Sequence, residues 1–223
     1  MDQYDSMSWL YEVLYAEQEM DQLGQLFLKE HESLIKRSTT SRIRDVSCGN
    51  GMQAIALCRA GLNVRASDKS SEMIRLARRN AEEMKVPLDV FQAEWKELPT
   101  ESEEPYSLLL CHGNSICHTS NRVDRKAVLD RFYKMLEPGG TLLLDSRNWE
   151  KLITKAEKYS IQKKREYNTK TYIPLYLWQR MELETDSSVR VVFIELSGNQ
   201  QQEYEVILHF APFSHKCLCE DCL

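Results

Sequence analysis

A glycine-rich turn between a short strand and a helix is the feature that most constrains this chain. Residues 43–47 are predicted to form a buried strand, and residues 52–60 the helix that follows it. Between them stands Asp-Val-Ser-Cys-Gly-Asn-Gly at 45–51, whose glycines let the backbone pass close to a ligand where a Cβ would clash. Ligands bind at such turns, outside the carboxyl ends of parallel strands, so the turn predicts both a fold class and a site.

The alternation of strands and helices continues as far as residue 148. Further strands are predicted over 64–67, 88–92, 106–111 and 141–145, and further helices through 73–84 and 122–136. Because each parallel crossover needs a helix to cover a face of the sheet, this pattern predicts an α/β, doubly wound parallel sheet. Beyond it, longer strands over 175–184, 189–197 and 203–210 predict a small antiparallel sheet.

Charge and composition narrow the function classes. The formal net charge of the 223 residues is −5, which argues against the cationic surface that a broad nucleic-acid footprint requires. No apolar run is long enough to span a bilayer, and the first residues lack the pattern of a signal peptide. Seven cysteines, an odd number, are expected to be reduced thiols. We therefore expect a cytoplasmic protein whose partner is a small molecule rather than a nucleic acid or a membrane.

Two further positions at strand ends narrow the ligand. Asp68 follows the second strand and can accept hydrogen bonds from both hydroxyls of a ribose; Glu94-Trp95 follows the third, where an indole can lie against an adenine. The Gly-x-Gly-x-x-Ala pattern that starts at Gly49 also satisfies a nicotinamide-cofactor fingerprint, but the chain lacks the second βαβ half of that fold. A plain tight turn with a helix-capping aspartate, and a core tryptophan, remain alternatives at this point.

Several motifs occur in an order that resembles a known family. After the glycine turn, Asp68 and Glu94-Trp95, the chain carries Cys-His-Gly-Asn-Ser-Ile-Cys-His at 111–118 and Pro-Gly-Gly-Thr-Leu-Leu-Leu-Asp-Ser-Arg-Asn-Trp at 138–149. The first three features are typical of class I S-adenosylmethionine-dependent methyltransferases. With the more specific Gly-Asn-Ser-x-x-His and Asp-x-Arg-Asn segments, the set resembles the glycine N-methyltransferase group, including the bacterial and archaeal glycine/sarcosine methyltransferases. The resemblance covers residues 1–150 well and the rest loosely.

The resemblance implies S-adenosylmethionine as the cofactor and a set of residues that hold it. In the family the glycine turn holds the methionine part, the acid after the second strand holds the ribose, and the acid–tryptophan pair contacts the adenine. The residue before Gly-Asn-Ser and the histidine after it border the cofactor. The cofactor-binding positions implied here are Asp45, Cys48, Gly49, Asn50, Gly51, Asp68, Lys69, Met73, Glu94, Trp95, His112, Gly113 and His118.

For the methyl acceptor, the resemblance implies Arg147, Asn114 and Tyr4. In the family the arginine grips a substrate carboxylate, the asparagine approaches the amine, and an N-terminal tyrosine closes over the site. Displacement at a sulfonium needs orientation more than a strong acid or a metal, and a guanidinium fixes a carboxylate in one plane. A structural ion pair for Arg147 and a plain turn for Asn114 are the alternatives. For His118, a packed histidine is favoured over a proton acceptor.

We therefore predict an N-methyltransferase acting on the amine of a small amino acid such as glycine or sarcosine. The alternatives are a methyltransferase for another small carboxylate-bearing amine, and a cofactor-binding protein with little catalytic activity. The predicted organisation is an N-terminal helical lid at 1–40, the cofactor-binding core at 41–150, and an antiparallel substrate-side subdomain with the start of a C-terminal helix at 151–223.

The chain departs from the group at three places. His112 stands where the group commonly has leucine, and Trp149 where it usually has tyrosine. The group continues past the helix that starts near Ser214 with two strands that complete a seven-stranded sheet. We therefore expect a core without those strands and with the fifth strand at an open edge, which would favour a homo-oligomer.

Three other features are given structural roles. His215, Cys217, Cys219 and Cys222 offer possible metal donors, but zinc sites usually pair two separated arms, so a helix carrying thiols is favoured and no metal is expected. The basic stretch at 151–170 is expected to be a solvated lid rather than an RNA-binding patch. Tyr172, Tyr176 and Trp178 are predicted to pack the second sheet rather than to form a substrate cage.

Overall fold

The computed structural model describes residues 4–15, 17–37, 42–99, 104–155, 158–198 and 200–223. Five strands form a parallel sheet: β1 (Arg42–Asp45), β2 (Asn63–Asp68), β3 (Asp89–Gln92), β4 (Tyr106–Cys111) and β5 (Leu136–Leu144). Their order is β3-β2-β1-β4-β5, which reverses direction between β1 and β4. This confirms the predicted doubly wound core of five strands and places β5 at an edge of the sheet.

Eight α-helices accompany the strands in the described residues. They are α1 (Ser8–Leu14), α2 (Glu17–Glu30), α3 (Glu32–Arg37), α4 (Met52–Arg59), α5 (Ser71–Glu83), α6 (Arg122–Met135), α7 (Trp149–Lys155) and α8 (His215–Asp221). Those between successive parallel strands, α4, α5 and α6, begin and end close to the predicted positions because glycine, serine and asparagine caps mark their boundaries in the sequence. Across the described residues, no helix combines the length and apolar character needed to cross a membrane.

The inner strand β4, between β1 and β5, shows how the sheet divides the core. Leu108 and Leu110 pack into one apolar cluster, with residues of α4 and β2, whereas Leu109 and Cys111 pack into another. Successive side chains of a strand point to opposite faces, so a run that is apolar throughout is buried on both. The second cluster also includes Leu10 of α1 and residues of the antiparallel sheet, so these regions share one core. The predicted three-part division of the chain stays a prediction.

The second sheet is antiparallel, as predicted. It consists of β6 (Tyr159–Ile161), β7 (Arg165–Tyr167), β8 (Lys170–Trp178), β9 (Ser187–Ser197) and β10 (Gln200–Phe210). The strand order is β10-β9-β8-β6, and β7 also pairs with β8. Residues of β8, β9 and β10 line part of the site described below.

The predicted bounds of the strand over 175–184 are wrong. Strand β8 begins at Lys170 and ends at Trp178, and it runs through Pro174, which sequence patterns treat as a strand breaker. The carbonyl of Pro174 accepts the N–H of Gln162, so this residue faces the gap between β6 and β7, where the missing proline N–H has no ladder partner to lose. The fifth strand likewise starts earlier than predicted, because the turn at 138–140 lies inside it as an irregularity between Leu136 and Thr141.

A buried ion pair fastens α8 to α6. Ser214 caps α8 by accepting the N–H of Cys217, so the predicted helix start is confirmed. The guanidinium of Arg125 and the carboxylate of Asp221 are both fully buried, 2.8 Å apart, and Arg125 also bonds Glu184. Its guanidinium carbon lies 4.6 Å from the ring centre of Phe213. One arginine therefore joins α6, α8 and the loop that follows β8.

Candidate active site

A large cavity opens at the carboxyl ends of β1, β2, β3 and β4, beside the point where the strand order reverses. Its volume is about 670 Å³, within the range of small-molecule pockets. Eleven of the thirteen predicted cofactor residues line it, together with Tyr4: Cys48, Gly49, Asn50, Asp68, Lys69, Met73, Glu94, Trp95, His112, Gly113 and His118. The parallel sheet brings these residues together because strand ends far apart in sequence meet at one edge.

The glycine turn shapes one wall of this cavity. Gly49 has φ +53°, and a Cβ built on it would meet nothing within 4 Å, so this backbone stays bare toward open space. Gly51 has φ +88°, and a Cβ there would lie 3.1 Å from the Cβ of Ala77 on α5. Gly51 does not line the cavity; its small size lets α4 begin against α5.

Asp68 joins the turn to the next strand. Its carboxylate accepts the N–H of Gly49 at 2.9 Å and the N–H of Ser70 at 3.0 Å. Ser70 in turn caps α5 by accepting the N–H of Met73, and its hydroxyl donates to Asp5 at 2.6 Å. The N-terminal segment is thereby tied to the rim of the cavity.

Trp95 is fixed by a hydrogen bond and by a ring contact. Its indole N–H donates to the carbonyl of Val46 at 2.8 Å, and its ring meets Phe132 of α6 at 87°. Glu94 forms a capping box with Glu97 and pairs with Lys96 at 2.6 Å on the exposed side. The contacts with Val46 and Phe132 therefore fix the orientation of the indole on the cavity wall.

Tyr4 and His118 form a pair at the inner end of the cavity. His118 Nδ1 lies 2.9 Å from the carbonyl oxygen of His209, so Nδ1 carries the proton, and Nε2 accepts the hydroxyl of Tyr4 at 2.7 Å. Both ring nitrogens are therefore engaged, as expected for a packed histidine. His112 faces the same cavity, and its Nδ1 accepts the side-chain amide of Gln53 at 3.2 Å.

A smaller cavity of about 130 Å³ adjoins the first. Tyr4, Tyr11, Tyr15, Gly113 and His118 line both. The remaining walls of the smaller cavity are Arg147, Asn114 and apolar or aromatic residues of α1 and the antiparallel sheet, namely Leu14, Tyr176, Trp178, Val189, Val191, Leu208 and Phe210. All three predicted acceptor residues therefore meet at this second cavity.

Asn114 positions the backbone of Arg147. The side-chain oxygen of Asn114 accepts the backbone N–H of Arg147 at 2.9 Å. The backbone N–H of Asn114 donates to the carboxylate of Asp145 at 3.0 Å. Asn114 adopts φ +63°, a left-handed conformation that asparagine tolerates better than most residues. The alternative of a turn residue thus describes part of what Asn114 does.

Burial keeps the phenols and thiols of the site neutral. It raises the pKa of Tyr11 and of Tyr15, although the charge of Arg147 acts in the opposite direction at both. It also raises the pKa of Cys48 well above its ordinary value and that of Cys117 to about 12. Neither thiol acts as a nucleophile at neutral pH, because the reactive form is the thiolate.

Asp45 lies beneath the turn rather than in the cavity wall. It is 1% exposed and accepts the N–H of Ser47 at 3.1 Å. Burial, and to a lesser extent the nearby Asp68 carboxylate, raise its pKa from 3.8 to about 7, against the opposing effects of the Ser47 N–H and Arg44.

This shift predicts a pH dependence of stability. Between about pH 4 and 7 the folded state binds the Asp45 proton more tightly than the unfolded chain does, so stability falls as pH rises through this window and levels off above it. We expect Asp45→Asn, which cannot ionise, to remove a decline on the order of 1–4 kcal/mol. Thermal unfolding at pH 5 and pH 8 measures it.

Asp89→Asn is the matched control, since its side chain is 63% exposed on the same sheet. It should follow the parent protein. Equal pH slopes for Asp45→Asn and the parent would contradict the assignment of the titration to Asp45.

Two tyrosines that line the site were not predicted from the sequence. Tyr11 and Tyr15 on and just after α1 line both cavities, and their spacing of four residues puts them on one helical face. That spacing is the signal that could have identified them, but apolar neighbours in the same segment make the face resemble ordinary core.

The cysteine cluster near the C-terminus does not assemble a metal site in the described residues. Cys219 Sγ lies 3.6 Å from His215 Nε2, but Cys217 faces Arg125 and Cys222 lies at the end of α8. All seven cysteines are free thiols.

Comparisons with known proteins agree with this geometry. A family model described as "Methyltransferase domain" matches residues 43–140. A solved S-adenosylmethionine-dependent methyltransferase from Clostridium acetobutylicum superposes with a TM-score of 0.72 at 15% identity, covering 99% of this chain and 86% of that one. An S-adenosylmethionine-bound amino pentose methyltransferase from Micromonospora echinaspora gives 0.70 at 13% identity, over 86% and 80%. Residues 43–140 therefore match a methyltransferase domain, and the chain has the fold of the class I S-adenosylmethionine-dependent methyltransferases.

Within that class, the sequence relatives point to one group. A glycine/sarcosine N-methyltransferase of Halorhodospira halochloris is 33% identical over 130 residues, 58% of this chain and 47% of that protein. Human glycine N-methyltransferase is 25% identical over 164 residues, 63% of this chain and 56% of that protein. The chain thus resembles the glycine and sarcosine N-methyltransferases, and it spans about half the length of these relatives.

Proposed function

We propose that this protein transfers a methyl group from S-adenosylmethionine to the amine of a small carboxylate-bearing amino acid such as glycine or sarcosine. The observation that carries the proposal is the guanidinium of Arg147 at a small cavity that shares five lining residues with the larger one. In the part of the chain that the structure describes, that guanidinium forms no ion pair with a carboxylate. It is therefore available for a carboxylate of the substrate.

The larger cavity fits the cofactor. Three features of its wall suit the three parts of the cofactor. The bare backbone at Gly49 leaves room for the amino acid part, the carboxylate of Asp68 can accept ribose hydroxyls, and the fixed indole of Trp95 offers a flat surface to adenine. When bound, S-adenosylmethionine supplies an electrophilic methyl group on a sulfonium.

The smaller cavity suits a small acceptor. Its 130 Å³ has room for about ten water-sized groups, which is enough for a short amino acid. Arg147 orients the carboxylate, and the Gly113 carbonyl, on the wall common to both cavities, accepts amine hydrogens. Tyr4, held by His118, closes the junction. The chain's own contribution is orientation and the exclusion of water.

The free thiols further support a reducing compartment, and we propose a cytoplasmic location.

Calorimetric titration with S-adenosylmethionine and S-adenosylhomocysteine, followed by methyl transfer to glycine, sarcosine and dimethylglycine, tests the proposal. Binding with turnover on glycine or sarcosine supports it. Binding without turnover on any of them overturns the substrate, and leaves another amine or a cofactor-binding protein with little activity. Failure to bind either nucleoside overturns the cofactor site itself.

A further inference from the structure

Arg147 rests against two aromatic rings of the antiparallel sheet. Its guanidinium carbon lies 5.3 Å from the ring centre of Trp178 and 5.8 Å from that of Tyr176. The two rings stack on one another, with centres 6.1 Å apart and planes at 18°. They stand two residues apart on β8, so they share one face of the strand.

The rings act on Arg147 through their faces. The indole N–H of Trp178 is buried and makes no hydrogen bond in the described residues, so this ring interacts through its faces, with Arg147 and with Tyr176. Other groups near the pair are already committed. Arg165, whose charge also reaches Tyr15 and Tyr176, pairs with Glu19, and burial raises the pKa of Tyr176, which keeps this phenol neutral.

Arg147 is thus held at two points. Asn114 binds its backbone N–H. The rings of Trp178 and Tyr176, on the antiparallel sheet, lie 5.3 and 5.8 Å from its guanidinium carbon. A guanidinium that lies over a ring keeps the N–H groups at its edge for an acceptor in its own plane, which is the geometry that a carboxylate needs.

We propose that Trp178 and Tyr176 are positioning residues that aim Arg147 at the smaller cavity and so set the affinity for the carboxylate of the acceptor. The inference rests on the proposed function. It assigns to the antiparallel sheet, which the sequence patterns treat as packing, a role in choosing carboxylate-bearing acceptors over simple amines.

Paired substitutions distinguish the effect of the aromatic ring face from the effect of side-chain size. We expect Trp178→Leu and Tyr176→Leu to raise KM for glycine or sarcosine about 3- to 30-fold, because a cation–π contact is lost. The values of kcat and the Kd for S-adenosylhomocysteine should stay within about two-fold. Trp178→Phe and Tyr176→Phe keep an aromatic face and should stay near the parent.

Titration of acetate into the protein saturated with S-adenosylhomocysteine provides a readout that does not need turnover. Weaker acetate binding in the leucine variants, with parent-like binding in the phenylalanine variants, supports the positioning role even if neither glycine nor sarcosine is methylated. Parent-like KM and acetate affinity in a leucine variant that still binds S-adenosylhomocysteine would overturn it. Equal loss in the phenylalanine and leucine variants would also overturn it, since packing alone would then explain the effect.

Discussion

Arg147→Leu is expected to lower kcat/KM for glycine or sarcosine about 10²- to 10³-fold while leaving cofactor affinity unchanged. A forked guanidinium–carboxylate pair is among the stronger polar contacts, and removing one partner leaves the other charge without compensation. Arg147 lines only the smaller cavity, so the Kd for S-adenosylhomocysteine should stay within about two-fold. Steady-state kinetics with each acceptor, together with calorimetry, measures both quantities.

Arg165→Leu is the matched control for this loss. Its charge also reaches Tyr15 and Tyr176, but it pairs with Glu19 and lines neither cavity. It should retain most of the parent kcat/KM, and Arg147→Lys, which keeps charge without the fork, should fall between the two. Parent-like activity in Arg147→Leu would show that the carboxylate is bound elsewhere.

Asp221→Asn is expected to destabilise the fold by about 3 kcal/mol, because it leaves the fully buried Arg125 without its closest carboxylate. For a chain of this length, the midpoint of thermal unfolding should fall by about 6–12 °C. Glu184, which is partly exposed, remains as a second partner of Arg125 and limits the loss.

Glu220→Gln offers a control one residue away. Glu220 pairs with Arg122 at 3.1 Å, but both side chains are nearly half exposed, so the change should cost less than about 0.5 kcal/mol. The double variant Arg125→Met with Asp221→Leu should recover much of the loss, since an apolar pair needs no compensation. An Asp221→Asn midpoint equal to that of Glu220→Gln would contradict the assignment of a buried pair.

The parallel core and the cavity at its strand ends were largely predictable from the sequence. Asp68 and Trp95 follow short strands, and Gly49 lies in a turn between a strand and a helix, so local patterns place each at a strand end. Parallel sheets bring all carboxyl ends to one edge, and this rule alone converts three separate motifs into one cavity.

The tertiary structure alone decided which residues share the second cavity. Tyr11 and Trp178 are separated by most of the chain, and the pair Arg125 and Asp221 is separated by almost a hundred residues. The bounds of β8 depend on the position of Pro174 opposite the gap between β6 and β7. No local pattern of apolar residues records this position. Local periodicity specifies elements and their ends, whereas the contacts between distant elements arise only when the two sheets pack against one core.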